Sequence, residues 1–266
     1  HTEGIALVGV LWGLGVALGV LALLSRARGP LKTGLADAGG DFPARWEPVG
    51  WLAMAVAWTW PAVLSGPSSL VGRHFDSQGT IWTIDAAPRL MQSLVDVQTS
   101  HPVGADYSGI DSFVLLPLAT LLHGLGAVRL HAWLGIMGVA LSAWAASGLA
   151  QAMGARRPWS LIAGGIFAFS GLSASALLEG HVYHVMNPWL PLMVWALWRA
   201  TDEDGRLQHG LLAGLCFALC LLTTGYLGIA AAVLAMGVVL GGLLARRSAA
   251  IKPVLGFVLV ALPVGL

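Results

Sequence analysis

"SFVLLPLATLLHGL", residues 112–125, is a 14-residue apolar run with Pro117 inside it. Whether it crosses a membrane or lies on one decides the orientation of every later segment. A crossing helix needs about 20 apolar residues, and shorter runs are more often interfacial or re-entrant.

The surrounding chain is 57% apolar and 10% charged, with a mean hydropathy of +0.78, against roughly 25% charged for a soluble domain. Its long apolar runs predict an all-α fold, a polytopic transmembrane helix bundle. Spans are expected at 4–24, 49–65, 131–153, 158–178, 182–198, 209–225, 228–244 and from 253, about eight in all. Alternating ten-residue strand patterns are absent, which argues against a membrane β-barrel. A net charge of +1 without a basic cluster gives no sign of a nucleic-acid partner.

Charge places 112–125. Basic residues collect on the cytoplasmic side of membrane helices. If the run crosses, only Arg26, Arg28, Lys32, Arg45 and Arg129 of the 14 basic residues face inward. If it lies on the outer surface, Arg156, Arg157, Arg199, Arg206, Arg246, Arg247 and Lys252 join the first four, 11 inside, and only Arg73, Arg89 and Arg129 stay outside. The second arrangement obeys the rule, so 112–125 is expected as a juxtamembrane helix on the outer surface. Tryptophans agree: Trp58, Trp60, Trp133 and Trp189 fall near outer ends, and Trp46, Trp51, Trp159 and Trp198 near inner ones. Gly9, Gly13, Gly15 and Gly19, and Gly210 with Gly214, supply small-residue spacings for helix packing. Cys216 and Cys220, four apart on one helix, read as packing residues.

The organisation that follows has three parts. Residues 1–25 form an extra amino-terminal helix, 26–48 a Gly/Pro-rich cytoplasmic connection, and 49–266 the main membrane domain, with a long outer loop at 66–130. The run 4–24 has no basic residues before it and no small-residue cleavage site after it, so it does not read as a signal peptide. An initial His1 and a Leu266 inside an apolar run read as the ends of a piece of a longer protein.

Polar chemistry then concentrates on the outer side. "RHFDSQGTIWTIDAAPRL", 73–90, carries Arg73, His74, Asp76, Asp85 and Arg89. Asp76 is the candidate general base for an acceptor hydroxyl. Arg73, Arg89 and Arg129 suit a lipid-carrier phosphate, because guanidinium binds phosphate oxygens in pairs. The plainer alternative is a solvated loop whose charges do nothing special. "LLEGHVYHVMNPW" adds Glu179, His181 and His184, beside Pro188 and Pro191, which make the local helix irregular. The group would serve either a divalent metal or contact with a substrate phosphate or sugar; no cofactor is otherwise indicated. His123 and His131 bracket a helix end and read as interfacial.

"GRHFDSQGTIW", "HPVGADYSGIDSFVLLPLATLLHGLGAVRLHAWLG", "AQAMGARRPWSLIAGGIFAFS" and "EGHVYHVMNPWLPLMVWALWRA" occur in this order. Together they resemble the amino-terminal half of the bacterial GT-C glycosyltransferase superfamily, over roughly residues 49–245. The resemblance implies an integral protein of the bacterial inner membrane, with a polyprenyl-phosphate sugar as donor and the lipid bilayer as its setting. It places the family's essential loop aspartate on Asp76, a surface helix on 112–125 and a second polar site on 179–184. It implies a single displacement at the anomeric carbon, with Asp76 taking the acceptor proton and the arginines stabilising the departing phosphate. Tyr226 and Trp82 would stack on a sugar. The extra first helix, and the lack of the family's carboxy-terminal soluble domain, depart from the pattern.

Two other functions stay open. One is a non-catalytic subunit or scaffold of a larger membrane complex. The other is a transporter of a lipid-linked substrate, against which stand the lack of charge inside any span and of an internal repeat.

Overall fold

The computed structural model describes residues 46–60, 75–96, 98, 105–106, 113–201, 206–244 and 251–265. The expected helix 4–24, the connection as far as residue 45, Arg73 and His74 lie outside the described residues, as does the side chain of Asp76. The described chain is helical throughout, as the apolar runs require, apart from a two-residue antiparallel pairing of Val95–Asp96 with Ala105–Asp106.

Helices α1 (Glu47–Trp58) and α2 (Phe75–Leu90) come first. Helix α3 is Leu115–Leu121, followed by a 3-10 turn at His123–Leu125. Seven residues rise about 10 Å, a third of a bilayer's hydrocarbon thickness, so α3 cannot cross. It buries Leu115, Leu116 and Ala119 and turns Leu121 outward. Gly126, at φ +81°, then reverses the chain into α4 (Ala127–Ala152), a conformation that costs glycine little.

Helix α4 is the spine, 26 residues or about 39 Å long. Helix α5 (Arg157–Ala168) returns beside it and continues, after a break at Phe169, as α6 (Gly171–Glu179). The Ser170 hydroxyl caps α6 by accepting from the Ser173 N–H at 3.3 Å. Close approach needs a small residue, since a methyl on Gly164 would stand 2.5 Å from the Ala143 carbonyl. The far end of this pair is tied by Gln151 Nε2 donating to Ser160 Oγ at 3.1 Å and by Arg157 meeting Glu47 at 3.3 Å.

Helix α7 (Val182–Val185) is one turn, and α8 (Trp189–Ala200) completes the passage to the far end. The expected span 182–198 is irregular, as its prolines suggested: Asn187 and Pro188 interrupt it, and the regular helix begins only at Trp189. Helices α9 (Leu207–Thr223), α10 (Gly225–Leu244) and α11 (Ile251–Gly265) follow, near the predicted 209–225, 228–244 and 253 onward. Gly214, of the predicted Gly210/Gly214 spacing, sits where a methyl would meet Val260 at 2.8 Å.

Two apolar clusters form, one among α1 to α4 and 176–186, the other among α8, α9 and α10, with Trp144 packed against both. Two helical stretches, Ala127–Ala152 and Arg157–Glu179, are long and apolar enough to cross a membrane. The second turns Trp159, Ile162, Ile166, Leu172 and Leu178 outward, and α10 exposes Ile229, Val233, Leu234, Met236 and Leu240. Contiguous apolar surface on helices suits lipid rather than water, which fits a membrane-associated helical protein.

Candidate functional site

Helix α6 ends at Glu179 because Gly180 adopts the left-handed conformation, φ +83°. The His181 N–H closes the helix end on the Ala176 carbonyl at 2.8 Å. Past this corner, three of the predicted polar residues gather. Glu179 accepts from Ser175 Oγ at 3.2 Å and approaches His181 Nδ1 at 3.6 Å. The rings of His181, Tyr183 and His184 pack as a trio, with centroids 4.6 to 5.4 Å apart.

This irregular stretch is fastened to one face of α4. His131, fully buried, places Nε2 3.1 Å from the Gly180 carbonyl. A carbonyl only accepts, so Nε2 carries the proton. Ser142 donates to the Val185 carbonyl at 2.9 Å and accepts the Asn187 N–H at 2.9 Å. Between them Gly138 lets the chain in, for a methyl there would lie 3.0 Å from the Met186 backbone. His131, Gly135, Gly138 and Ser142 recur at steps of four, three and four, one stripe of a helix. The expectation of an interfacial His131 is thus corrected. The signal that could have exposed it was that stripe, in which two polar residues flank two glycines.

Helix α2 presses on the same corner. Its buried stripe is Ser77, Thr80, Ile84 and Ala87. Ser77 lies so close to Gly180 that an added methyl would collide with Ser77 Oγ and Cα. The residue next to Asp76 therefore abuts the residue between Glu179 and His181. Ser77 Oγ and His131 Nδ1 are both buried without a hydrogen-bond partner among the described residues.

Other candidates are elsewhere. Arg89 ends α2, 13 residues from Asp76, about 20 Å along the axis. It meets the carboxylate of the buried Asp96 at 3.5 Å, and Asp96 also accepts the Gln98 N–H at 3.0 Å. Arg129 is exposed in the first turn of α4. Tyr226 is exposed at the start of α10. Trp82 is partly buried against the first cluster. His123 pairs with Asp85 at 3.8 Å on the surface.

Val114 N–H donates to the Leu222 carbonyl at 3.2 Å, which sets α3 at the same end of the bundle as the turn between α9 and α10. Arg129, Tyr226 and the Glu179–His184 corner thus share one end. Among the described residues no group of three or more His, Cys, Asp or Glu is placed to hold a metal ion, so Glu179, His181 and His184 do not fit a divalent metal. Their chemistry is that of hydrogen bonding and ring stacking. Cys216 and Cys220 are free thiols buried in α9. Set against protein-family profiles, curated proteins and solved structures, the chain has no match.

Proposed function

We propose that this chain is a membrane glycosyltransferase of GT-C type. It moves a sugar from a polyprenyl-phosphate carrier to an acceptor hydroxyl on the outer face of a bacterial inner membrane. About eight helices cross the bilayer in this reading, with 66–130 outside and the basic residues of the opposite end inside. One observation carries it: Ser77 packs on Gly180, which brings the start of α2 against the Glu179–His184 corner. Asp76, next to Ser77 in the sequence, is on this reading the base of a site that the imidazoles past Gly180 complete.

Asp76 takes the proton from the acceptor hydroxyl as that oxygen attacks the anomeric carbon, and the bond to the carrier phosphate breaks. Glu179, His181 and His184 hold the sugar hydroxyls. Arg129, exposed at the same end, meets the departing phosphate, and Tyr226 lies on the approach. Arg73 and His74 neighbour Asp76 in sequence and would extend the phosphate site. Arg89 has no part in it.

The test is sugar transfer by the protein reconstituted in vesicles, with a panel of polyprenyl-phosphate hexoses and pentoses. Asp76→Asn is expected to lower the rate by at least roughly a hundredfold, the scale of a lost general base, with donor binding retained. Wild-type rates reproduced by Asp76→Asn would exclude the assignment.

A further inference from the structure

Between α6 and α8 the chain runs along α4, from His131, which holds Gly180, to Ser142, which holds Val185 and Asn187. Eleven residues of helix separate these staples, about 16 Å. Asn187 is thereby carried to about the middle of α4. Over this descent only the single turn of α7 is regular.

Irregular backbone at membrane depth persists only where protein buries it or water reaches it, because hydrocarbon offers no hydrogen bonds. Toward α4 the stretch is buried: Val182, Val185 and Met186 are enclosed. Its polar side chains are the ones left partly open, namely His181, Tyr183, His184 and Asn187. A lipid-facing surface would show the reverse division, with apolar side chains turned out and polar ones turned in. The amide oxygen of Asn187 is itself buried and has no hydrogen-bond partner among the described residues, a polar atom that an enclosed water or hydroxyl would satisfy.

We infer that residues 181–188 line a hydrated recess. It opens at the end where α2 meets Gly180 and descends to about the middle of the bundle, and its occupant is a neutral, hydroxyl-bearing ring. Two imidazoles, a phenol and an amide offer hydrogen-bonding edges for hydroxyls and aromatic faces for a C–H surface. No Lys or Arg occurs between Glu179 and Pro188, so the recess lacks what a phosphate requires. The inference deepens the sugar site proposed above and rests on that reading and on the membrane-spanning arrangement.

The experiment uses His184→Cys and Asn187→Cys in sealed vesicles, with a positively charged, membrane-impermeant thiosulfonate. The native Cys216 and Cys220 are fully buried and silent. Ile229→Cys, on the exposed apolar face of α10, is the lipid-facing reference. Thiolates form in water and not in hydrocarbon, so both recess cysteines are expected to react at least about tenfold faster than the reference. Rates equal to the reference or below it overturn the recess. Where one variant does not fold, Tyr183→Cys replaces it.

Methyl hexosides and inorganic phosphate are then added separately. Slowing by a hexoside and not by phosphate is expected. Slowing by phosphate, or by neither, overturns the neutral occupant. A reactive recess in a protein without transfer activity would refute the enzyme reading and leave the recess standing.

Discussion

Two buried residues fix the corner around which the proposed site is built. His131→Leu leaves the Gly180 carbonyl enclosed without its donor, and an unsatisfied buried acceptor costs about 1–3 kcal/mol. Melting in detergent should show that loss, and His131→Gln, whose amide can donate to the same carbonyl, should recover part of it. Equal melting of the Leu variant and wild type would show that the bond contributes nothing. Gly180 permits a cleaner comparison with Gly126. Both have positive φ, near +80°, yet a methyl on Gly126 meets nothing while one on Gly180 meets Ser77. Gly126→Ala should cost only the backbone strain, about 1–2 kcal/mol. Gly180→Ala should cost more and push α2 away, read as faster amide exchange over residues 77–80 than in Gly126→Ala. Identical exchange in the two variants would mean that α2 does not depend on this contact.

At the scale of elements, Arg89 is the sharpest divergence between the polar segment as read and as folded. In sequence it stands with Asp76 in a single charged stretch. A 16-residue helix puts them at opposite ends, and Arg89 instead meets Asp96. Arg89 is partly open to solvent but Asp96 is buried, so Arg89→Ala leaves a buried carboxylate without this cation and should cost about 1–3 kcal/mol. Sugar transfer by the folded variant should stay within roughly twofold of wild type, since Arg89 stands 13 residues along α2 from Asp76, about 20 Å, outside the proposed site. A loss comparable to that of Asp76→Asn would restore Arg89 to the phosphate site.

The same contrast shows what the sequence made legible. Apolar runs mark α4, α9 and α10 to within a few residues, because a helix in an apolar setting needs only length and hydrophobicity. The charge distribution favours a non-crossing 112–125, and the seven-residue α3 agrees. Helix α2 is hard to read from the sequence because Ser77, Thr80, Ala86 and Ala87 make up most of its buried residues, and only Ile84 and Leu90 are large and apolar. Pro188 and Pro191 announce an irregular helix in the sequence, but the apolar residues around Asn187 and Pro188 keep the hydropathy of a span, so the extent of the break at 186–188 is not legible there. The stapling of that break by His131 and Ser142 depends on contacts 49 and 43 residues apart, which no local pattern reports.

Across the whole molecule, the two ends differ in chemistry. One end gathers α2, α3, the 179–184 corner and the α9–α10 turn, with His131 and Val114 joining pieces far apart in sequence. The other holds Glu47 with Arg157, and Gln151 with Ser160, and the exposed Arg156 and Arg206 stand there too. If the bundle spans a membrane with basic residues inside, the first end faces out. Gln78 and Met153, both exposed, lie at the first and second ends. An impermeant thiol reagent applied to intact cells should therefore label Gln78→Cys and leave Met153→Cys untouched until the cells are opened. Labelling of Met153→Cys alone would invert the protein and put Asp76 on the cytoplasmic side. Labelling of both in intact cells would remove the barrier between the ends, and with it the spanning arrangement on which an outer-face transfer depends.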